Sequence, residues 1–312
     1  MTSTTRVEAL RRIAPLGTLL LLCSVLSFAS PHFLTTQNLL QIGLQISIVA
    51  ILAVGQALVI IAGGIDISVG STVAFSGIAA VLALREGAPW PAAALGGVLA
   101  GGLVGAVNGG LATAARLPPF IATLGTMGLV RGLTLIVSGG VNLIFPFPPG
   151  FAALGGERAL GLPIPLLILV AVAGLFQAVL SLTSYGRRLY ALGGNAEAAR
   201  LSGIAVHRTL ASAYVLCGLL SGLAGVILAA RLGIGQPTAA EGYELDVIAA
   251  CVIGGASLSG GRGSVAEALL GALLIGVLRN GCNLLDISAF WQRAVMGLII
   301  LLAVFYDRNV RR

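Results

Sequence analysis

Lysine is missing from this 312-residue chain, and charge of either sign is scarce. All 18 basic residues are arginine, the acidic residues number 11, and charged side chains make up 9% of the whole. Soluble domains carry about 25% charged residues, so a water-soluble globular fold is excluded. Without lysine there is no Walker A phosphate loop, because its lysine must reach the nucleotide phosphates. The stretch GASLSGG, 255–261, imitates the glycine spacing of that loop but has Gly261 where the lysine belongs. Histidine occurs twice, at His32 and His207, far apart in the chain. The four cysteines, Cys23, Cys217, Cys251 and Cys282, fall in apolar runs without paired spacing. They read as small membrane residues, and neither a metal centre nor a disulfide framework is expected.

What the chain does have is hydrophobic surface in long runs: 57% of its residues are hydrophobic, and the mean hydropathy is +1.03. The runs are apolar all round, as helices facing lipid or buried in a bundle must be. They lack the period-two alternation of an outer-membrane barrel strand. The expected fold class is therefore an all-α polytopic membrane protein, its 44 glycines allowing close helix packing. Ten spans are predicted, near 13–30, 41–62, 68–84, 89–110, 118–138, 162–183, 209–231, 244–257, 264–284 and 290–306. They make one membrane domain, 13–306, between tails at 1–12 and 307–312. The eighth span is too short for a plain crossing. It is expected to be tilted, broken or partly re-entrant, with GIGQPTAAEGYE, 233–244, folded against it.

Arginine orients the set. Arg6, Arg11, Arg12, Arg116, Arg187, Arg188, Arg200, Arg208, Arg262, Arg308, Arg311 and Arg312 fall on one side, against Arg85, Arg158 and Arg231 on the other. The positive-inside rule puts the first side, and both termini, in the cytoplasm. The same placement accounts for the net charge of +7 without a nucleic-acid partner. The first span is expected to be an uncleaved helix, since SFAS, 27–30, puts Phe28 where a cleavage site wants a small residue. Two glycine-rich junctions, GGIDISVGS (63–71) and GGASLSGGRGS (254–264), hint at an internal duplication.

One polar interruption, 184–208, contains GRRLYALGGNAEAARLSGI, 186–204. Asn195 can cap a helix over 196–202, with Glu197 in its first turn, Arg200 in its last and Gly203 to stop it. Such a helix is about 10 Å long and cannot hold in water alone, because nucleation is costly. It needs a surface. Ala198, Leu201 and Ile204 offer that surface an apolar contact, while Arg187, Arg188 and Arg200 can meet acidic groups or lipid phosphates. An ordinary basic loop is the competing reading.

Four stretches carry a resemblance: GQALVIIAGGIDISVGS (55–71), RLPPFIATLGTMGLVRGL (116–133), GRRLYALGGNAEAARLSGI (186–204) and EGYELDVIAACVIGGASLSGGRGS (241–264). In this order and spacing, over about 37–306, they resemble permease subunits of the ribose, xylose and galactose class of bacterial ABC sugar importers. The resemblance implies a fold similar to the vitamin B12 importer class, with about ten transmembrane helices. It implies a chain in the inner membrane that is not an enzyme and binds no cofactor or metal, with ATP and Mg held by a separate cytoplasmic ABC ATPase. A second permease subunit, identical or different, and a periplasmic sugar-binding protein complete the set, with membrane lipid around it. The ATPase would be coupled through Gly186, Arg187, Arg188, Asn195, Glu197, Ala198, Arg200, Leu201, Gly203 and Ile204. LSGGR, 258–262, resembles the ATPase signature peptide, but it stands between apolar helices and is taken as coincidence.

Candidate pathway or gating residues are Asp66, Ser68, Asn108, Arg131, Glu244 and Asp246. Asp66 can cap a helix beginning at Ile67 or Ser68, or act in gating. Arg131 lies inside the fifth span, where an arginine costs about 2.5–3.5 kcal/mol on insertion scales. It should be paired or face water, and Glu241, Glu244 and Asp246 are the candidate partners. Asn108 is expected to bond a neighbouring helix rather than sugar. Gly101, Gly105 and Gly109, and the set Gly218, Gly222 and Gly225, read as packing faces. Aromatics are too few, at 5%, for a sugar-stacking platform, and Trp90 and Trp291 fit interface anchoring. Other readings are a permease for branched-chain amino acids, nucleosides or a signalling sugar, and an ion-coupled carrier. A membrane enzyme finds no nucleophile and base.

Overall fold

The computed structural model describes residues 3–298 apart from 289, 293 and 296, with side chains described from residue 15 onward. The chain is helical almost throughout. It begins with α1 (Ser3–Ala29), α2 (Thr36–Ile61), α3 (Val69–Arg85), α4 (Trp90–Thr113) and α5 (Pro119–Ser138). A short α6 (Pro149–Ala153) and a hairpin of β1 (Arg158–Ala159) and β2 (Leu162–Pro163) follow. The remainder is α7 (Ile164–Leu182), α8 (Ser184–Gly194), α9 (Ala196–Leu201), α10 (Val206–Leu232), α11 (Tyr243–Gly254) and α12 (Val265–Leu284). Helices stand where the first nine spans were expected; the tenth, 290–306, lies largely outside the described residues. Six of them, α2, α4, α5, α7, α10 and α12, are long and apolar enough to cross a membrane, so the chain is a multi-pass membrane protein.

The core is built around α2, which is buried without interruption from Ser47 to Ile61. Its apolar side chains meet those of α7, α10, α11 and α12 in one cluster that includes Ile51, Leu58, Phe176, Tyr214, Cys217 and Ala272. A helix apolar on every face can be enclosed by neighbours on all sides, and α2 is the helix so enclosed here. On α4, a β-carbon at Gly101 would overlap the Gly218 carbonyl, and one at Gly105 would overlap the Tyr214 carbonyl. From α10, Gly222 meets the Val98 backbone and Gly225 the Val73 carbonyl. Gly101 and Gly105 of α4 thus interlock backbone to backbone with Gly218 and Gly222 of α10, as packing faces do in lipid, while Gly225 packs on α3.

Two stretches break the helical pattern inside the bundle. Residues 62–68 leave the end of α2 and rise without helix to α3. Ile65 sits level with Tyr214 of α10, whereas Val73 sits level with Gly225, about 17 Å further along. Residues 233–242 descend from the opposite end. Gly235 pairs with Leu143 in a bridge beside Val81, and Ala240 reaches the backbone at Gly70, about 17 Å back along α3. The following α11 has 12 residues and a length of about 18 Å, too short for a hydrocarbon core of about 30 Å. The broken character expected of the eighth span is present, and the dipping segment is the stretch 233–242 that precedes it.

Candidate functional site

Irregular backbone at this depth must find its hydrogen bonds inside the protein. Around 62–68 they come from four helices. The Asp66 carboxylate Oδ1 accepts from the Ser68 N–H at 2.8 Å and from the Ser68 hydroxyl at 2.7 Å. Asn108 of α4 donates through Nδ2 to both Asp66 carboxylate oxygens at 3.2 Å and to Ser68 Oγ at 2.8 Å. The Gln56 amide brackets the Asp66 backbone: in the orientation that satisfies both its atoms, it donates to the carbonyl at 3.1 Å and accepts from the N–H at 3.2 Å. The hydroxyls of Tyr214 and Thr123 donate to the Ile65 carbonyl, each at 3.2 Å. All of these side chains are buried.

This arrangement corrects the expected cap. The helix begins at Val69, with Ser68 at the N-cap position, so Asp66 holds the turn before it through an Asx-type bond to the residue two ahead. Asn108 bonds a neighbouring segment, as expected, while its own Oδ1 has no partner among the described residues. Gln56, Thr123 and Tyr214 were not among the sequence candidates. The signal for Gln56 was available, since an amide in an otherwise apolar stretch of helix needs a partner.

Arg131 performs the same service for the second irregular segment. It lies about 18 Å along α5 and donates through Nη1 to the carbonyls of Pro237 at 2.7 Å and Ala239 at 3.1 Å. Its direct hydrogen bonds thus go to backbone, because those carbonyls sit in a turn with no ladder of their own, while Glu241 and Glu244, two of the expected partners, act on it electrostatically. Glu244 Oε1 accepts from the Gly242 N–H at 3.2 Å, and Asp246 pairs with Arg279 of α12 at 2.5 Å. The six candidates fall into two groups: Asp66, Ser68 and Asn108 on one broken segment, and Arg131 with Glu244 on the other. Asp246 stands apart with Arg279. The second segment and the start of α11 meet the first turn of α3, just beyond the first segment, where Gly70 faces Ala240 and Glu244.

At the end of the bundle from which 62–68 departs, the ends of α2 and α8 converge on the loop 255–264. The Gly261 N–H donates to the Ile61 carbonyl at 2.9 Å, Gly193 abuts both, and the Tyr190 hydroxyl donates to the Gly263 carbonyl at 2.7 Å. The two glycine-rich junctions thus meet each other beneath α8. The sequence reading did not assign α8. The Thr183 hydroxyl caps it, accepting from the Gly186 N–H, and it turns Gly186, Leu189 and Leu192 inward while Arg187 and Arg188 are exposed. The following α9 is the expected capped helix, one residue shorter. Asn195 Oδ1 accepts from the Ala198 N–H at 2.9 Å, Ser202 closes the end, and Gly203 takes a φ of +82°. Glu197 and Arg200 form a bidentate pair at 2.6 and 3.0 Å, which holds the Glu197 carboxyl below its ordinary pKa and that of Arg200 above. Only Ala199 of α9 is buried; Ala198 and Leu201 face outward, Leu201 with 74% of its surface free, and Ile204 is half-buried.

A profile described as "branched-chain amino acid transport system / permease component" matches residues 38–304. The chain belongs to this permease family. The permease is 44% identical over 302 residues to the ribose import permease protein RbsC of Bacillus subtilis, covering 96% of this chain and 94% of that one. It is 39% identical over 287 residues to the D-allose transport system permease protein AlsC of Escherichia coli, covering 92% and 88%. The L-arabinose ABC transporter permease protein AraH of Azospirillum brasilense is 40% identical over 296 residues, covering 94% and 87%. These relatives agree with the sugar-permease resemblance carried by the four motifs. The permease is thus a transport component and not an enzyme.

Proposed function

We propose that this permease is the membrane-spanning subunit of an ATP-driven monosaccharide importer of the bacterial inner membrane. A periplasmic binding protein delivers the sugar, and a separate ATPase, holding ATP and Mg, drives a pair of permease subunits. In this reading the chain has ten spans with both termini in the cytoplasm, and α8 and α9 lie on the cytoplasmic side, in keeping with the arginine bias. The relatives named for ribose, allose and arabinose support the substrate class.

The observation that carries the coupling assignment is α9 itself: a capped helix of six residues with an exposed Leu201, Arg187 and Arg188 beside it, and one buried side chain. So short a helix gains little from its own hydrogen bonds, and its outward apolar residue is explained by a docked partner. Movement of that partner reaches the membrane through Gly193, the junction at 255–264 and the turn at 62–68, where Asp66, Ser68 and Asn108 act in gating. Arg131 and Glu244 act through the facing segment, and Asp246 braces α11.

Crosslinking tests this. An Ala198→Cys permease, co-expressed with its ATPase in membrane vesicles, is expected to crosslink to the ATPase with a yield that changes on adding ATP. No crosslink to an ATPase that is demonstrably present would reduce the segment to a basic loop. Uptake of ribose, allose, arabinose and leucine by the same vesicles separates the sugar reading from a branched-chain amino acid permease.

A further inference from the structure

Leu189 and Leu192 seat α8 on the bundle, and its two phenols reach past them to different elements. Five residues apart on a helix, Tyr185 and Tyr190 point about 140° from each other and so bond on different flanks. The Tyr185 hydroxyl lies 2.9 Å from Ser212 Oγ of α10; Ser212 gives its own proton to the Thr209 carbonyl at 2.8 Å, so Tyr185 is the donor. On the other flank the Tyr190 hydroxyl donates to the Gly263 carbonyl at 2.7 Å. Both phenols are half-buried. Burial, and after it the Glu267 carboxylate, push the Tyr190 phenol above its ordinary pKa, so it stays the protonated donor across the physiological range.

The two acceptors differ in stiffness. Ser212 belongs to the long α10, and beside it a β-carbon at Gly109 of α4 would meet the Ala211 backbone at 2.9 Å, so this flank is locked. Gly263 is a joint. Its φ of +137° is open to glycine and rarely to other residues, and it stands between the Gly261 N–H, fixed on the Ile61 carbonyl of α2, and Ser264, the N-cap of α12. Beyond that joint, α11 and α12 form a stiff pair. A β-carbon at Gly254 would overlap the Glu267 carbonyl, and one at Gly271 would overlap the Ala250 carbonyl, so the helices touch through backbone. Further along, Asp246 of α11 bonds Arg279 of α12. At its far end α11 begins at Tyr243, directly after the segment 233–242 that Arg131 grips.

We infer that Tyr190 is a positioning residue for coupling: its hydroxyl conveys displacement of α8 to Gly263, and the stiff α11–α12 pair carries that displacement to the segment 233–242. The distance covered is the length of α11, about 18 Å. Tyr185 is the fixed anchor on α10. A chain of rigid elements with one joint suits this task, because packed helices move as bodies and leave the backbone change to a few hinge residues. The inference rests on the coupling role proposed for α8 and α9, and adds to it a route that bypasses the turn at 62–68. Each broken segment then has its own link to the exposed helices, one through Gly193 and the other through Tyr190.

The test compares two hydroxyl deletions on one helix, Tyr190→Phe and Tyr185→Phe, in membrane vesicles holding the assembled transporter. Each variant keeps its ring, so each loses one hydrogen bond and little packing. The readout is sugar accumulated per ATP hydrolysed, using whichever of D-ribose, D-allose and L-arabinose the wild type accumulates. Tyr190→Phe is expected to lower this ratio about fivefold, and Tyr185→Phe to leave it within about twofold. The Ala198→Cys crosslink to the ATPase is expected to persist in both. An unchanged ratio in Tyr190→Phe would overturn the inference. So would an equal fall in the two variants, which would mean that any loosening of α8 uncouples the transporter. Loss of the crosslink in Tyr190→Phe would overturn it too, assigning the hydroxyl to assembly. A crosslink absent from the permease with both tyrosines intact removes the coupling reading itself, whereas a crosslink present beside a normal Tyr190→Phe ratio removes only the role of Tyr190.

Discussion

The Asp246–Arg279 pair sets the strongest test available for a single residue. Asp246 is buried at 5% side-chain exposure, while Arg279 keeps 33%, so removing the arginine strands a carboxylate in the bundle. Breaking a buried pair from one side costs about 3–5 kcal/mol; the exposure of Arg279 screens part of that. Arg279→Gln is therefore expected to destabilise the permease by about 2 kcal/mol in denaturant titration of the reconstituted protein. Adding Asp246→Asn should recover most of the loss. A double variant as unstable as the sum of the singles would show that the pair is not coupled. Asp246 was legible as a candidate because acid is rare in this chain. Its partner was not, since Arg279 lies 33 residues away and only the antiparallel packing of α11 on α12 brings the two together.

Among the elements, the α4–α10 contact is held by backbone approach rather than by side-chain volume. Gly105→Val would push a branched side chain into the Tyr214 carbonyl and Gly218. Overpacking costs about 1–3 kcal/mol even in forgiving cores, and here rigid backbone must move. A Tm fall of several degrees in detergent is expected, with a much smaller change for Gly110→Val on the same helix, where no atom stands in the way. Equal falls would refute the close approach. The glycine spacing announced this face in the sequence, because four-residue repeats share a side of a helix. The cap of α9 was legible for a similar local reason: Asn195, Glu197, Arg200 and Gly203 each act within one turn. In α8 the cues were weaker, since it is anchored by Leu189 and Leu192 fitting against the bundle and not by a strong propensity.

Across the whole molecule, Gly193 joins the exposed helices to the membrane segments. A side chain there would collide with the Ile61 carbonyl and the Gly261 N–H, whereas Gly194 next to it faces open space. Gly193→Val is expected to lower sugar uptake at least tenfold while ATP hydrolysis by the assembled transporter continues. Gly194→Val should leave both near wild type. Loss of hydrolysis and uptake together in the first variant would mean a failure of assembly, and normal uptake would sever the proposed route. A stiff contact suits this task, because coupling needs an element with discrete arrangements that both sites bias.

The amino-acid sequence alone determined the solvent in which this chain folds, since so little charge and so many all-apolar runs permit only a membrane bundle. It also determined where most helices stand, where α9 begins and ends, and the family to which its motifs point. The tertiary structure decided what the polar residues inside the bundle bond. Arg131 hydrogen-bonds carbonyls while Glu241 and Glu244 act on it electrostatically, and Asp66 holds a turn with help from Gln56, Thr123, Asn108 and Tyr214. Those partners are set by how deeply two irregular segments enter the bundle. Hydrophobic periodicity reports which residues avoid water; it carries no record of the depth at which the backbone stops being a helix.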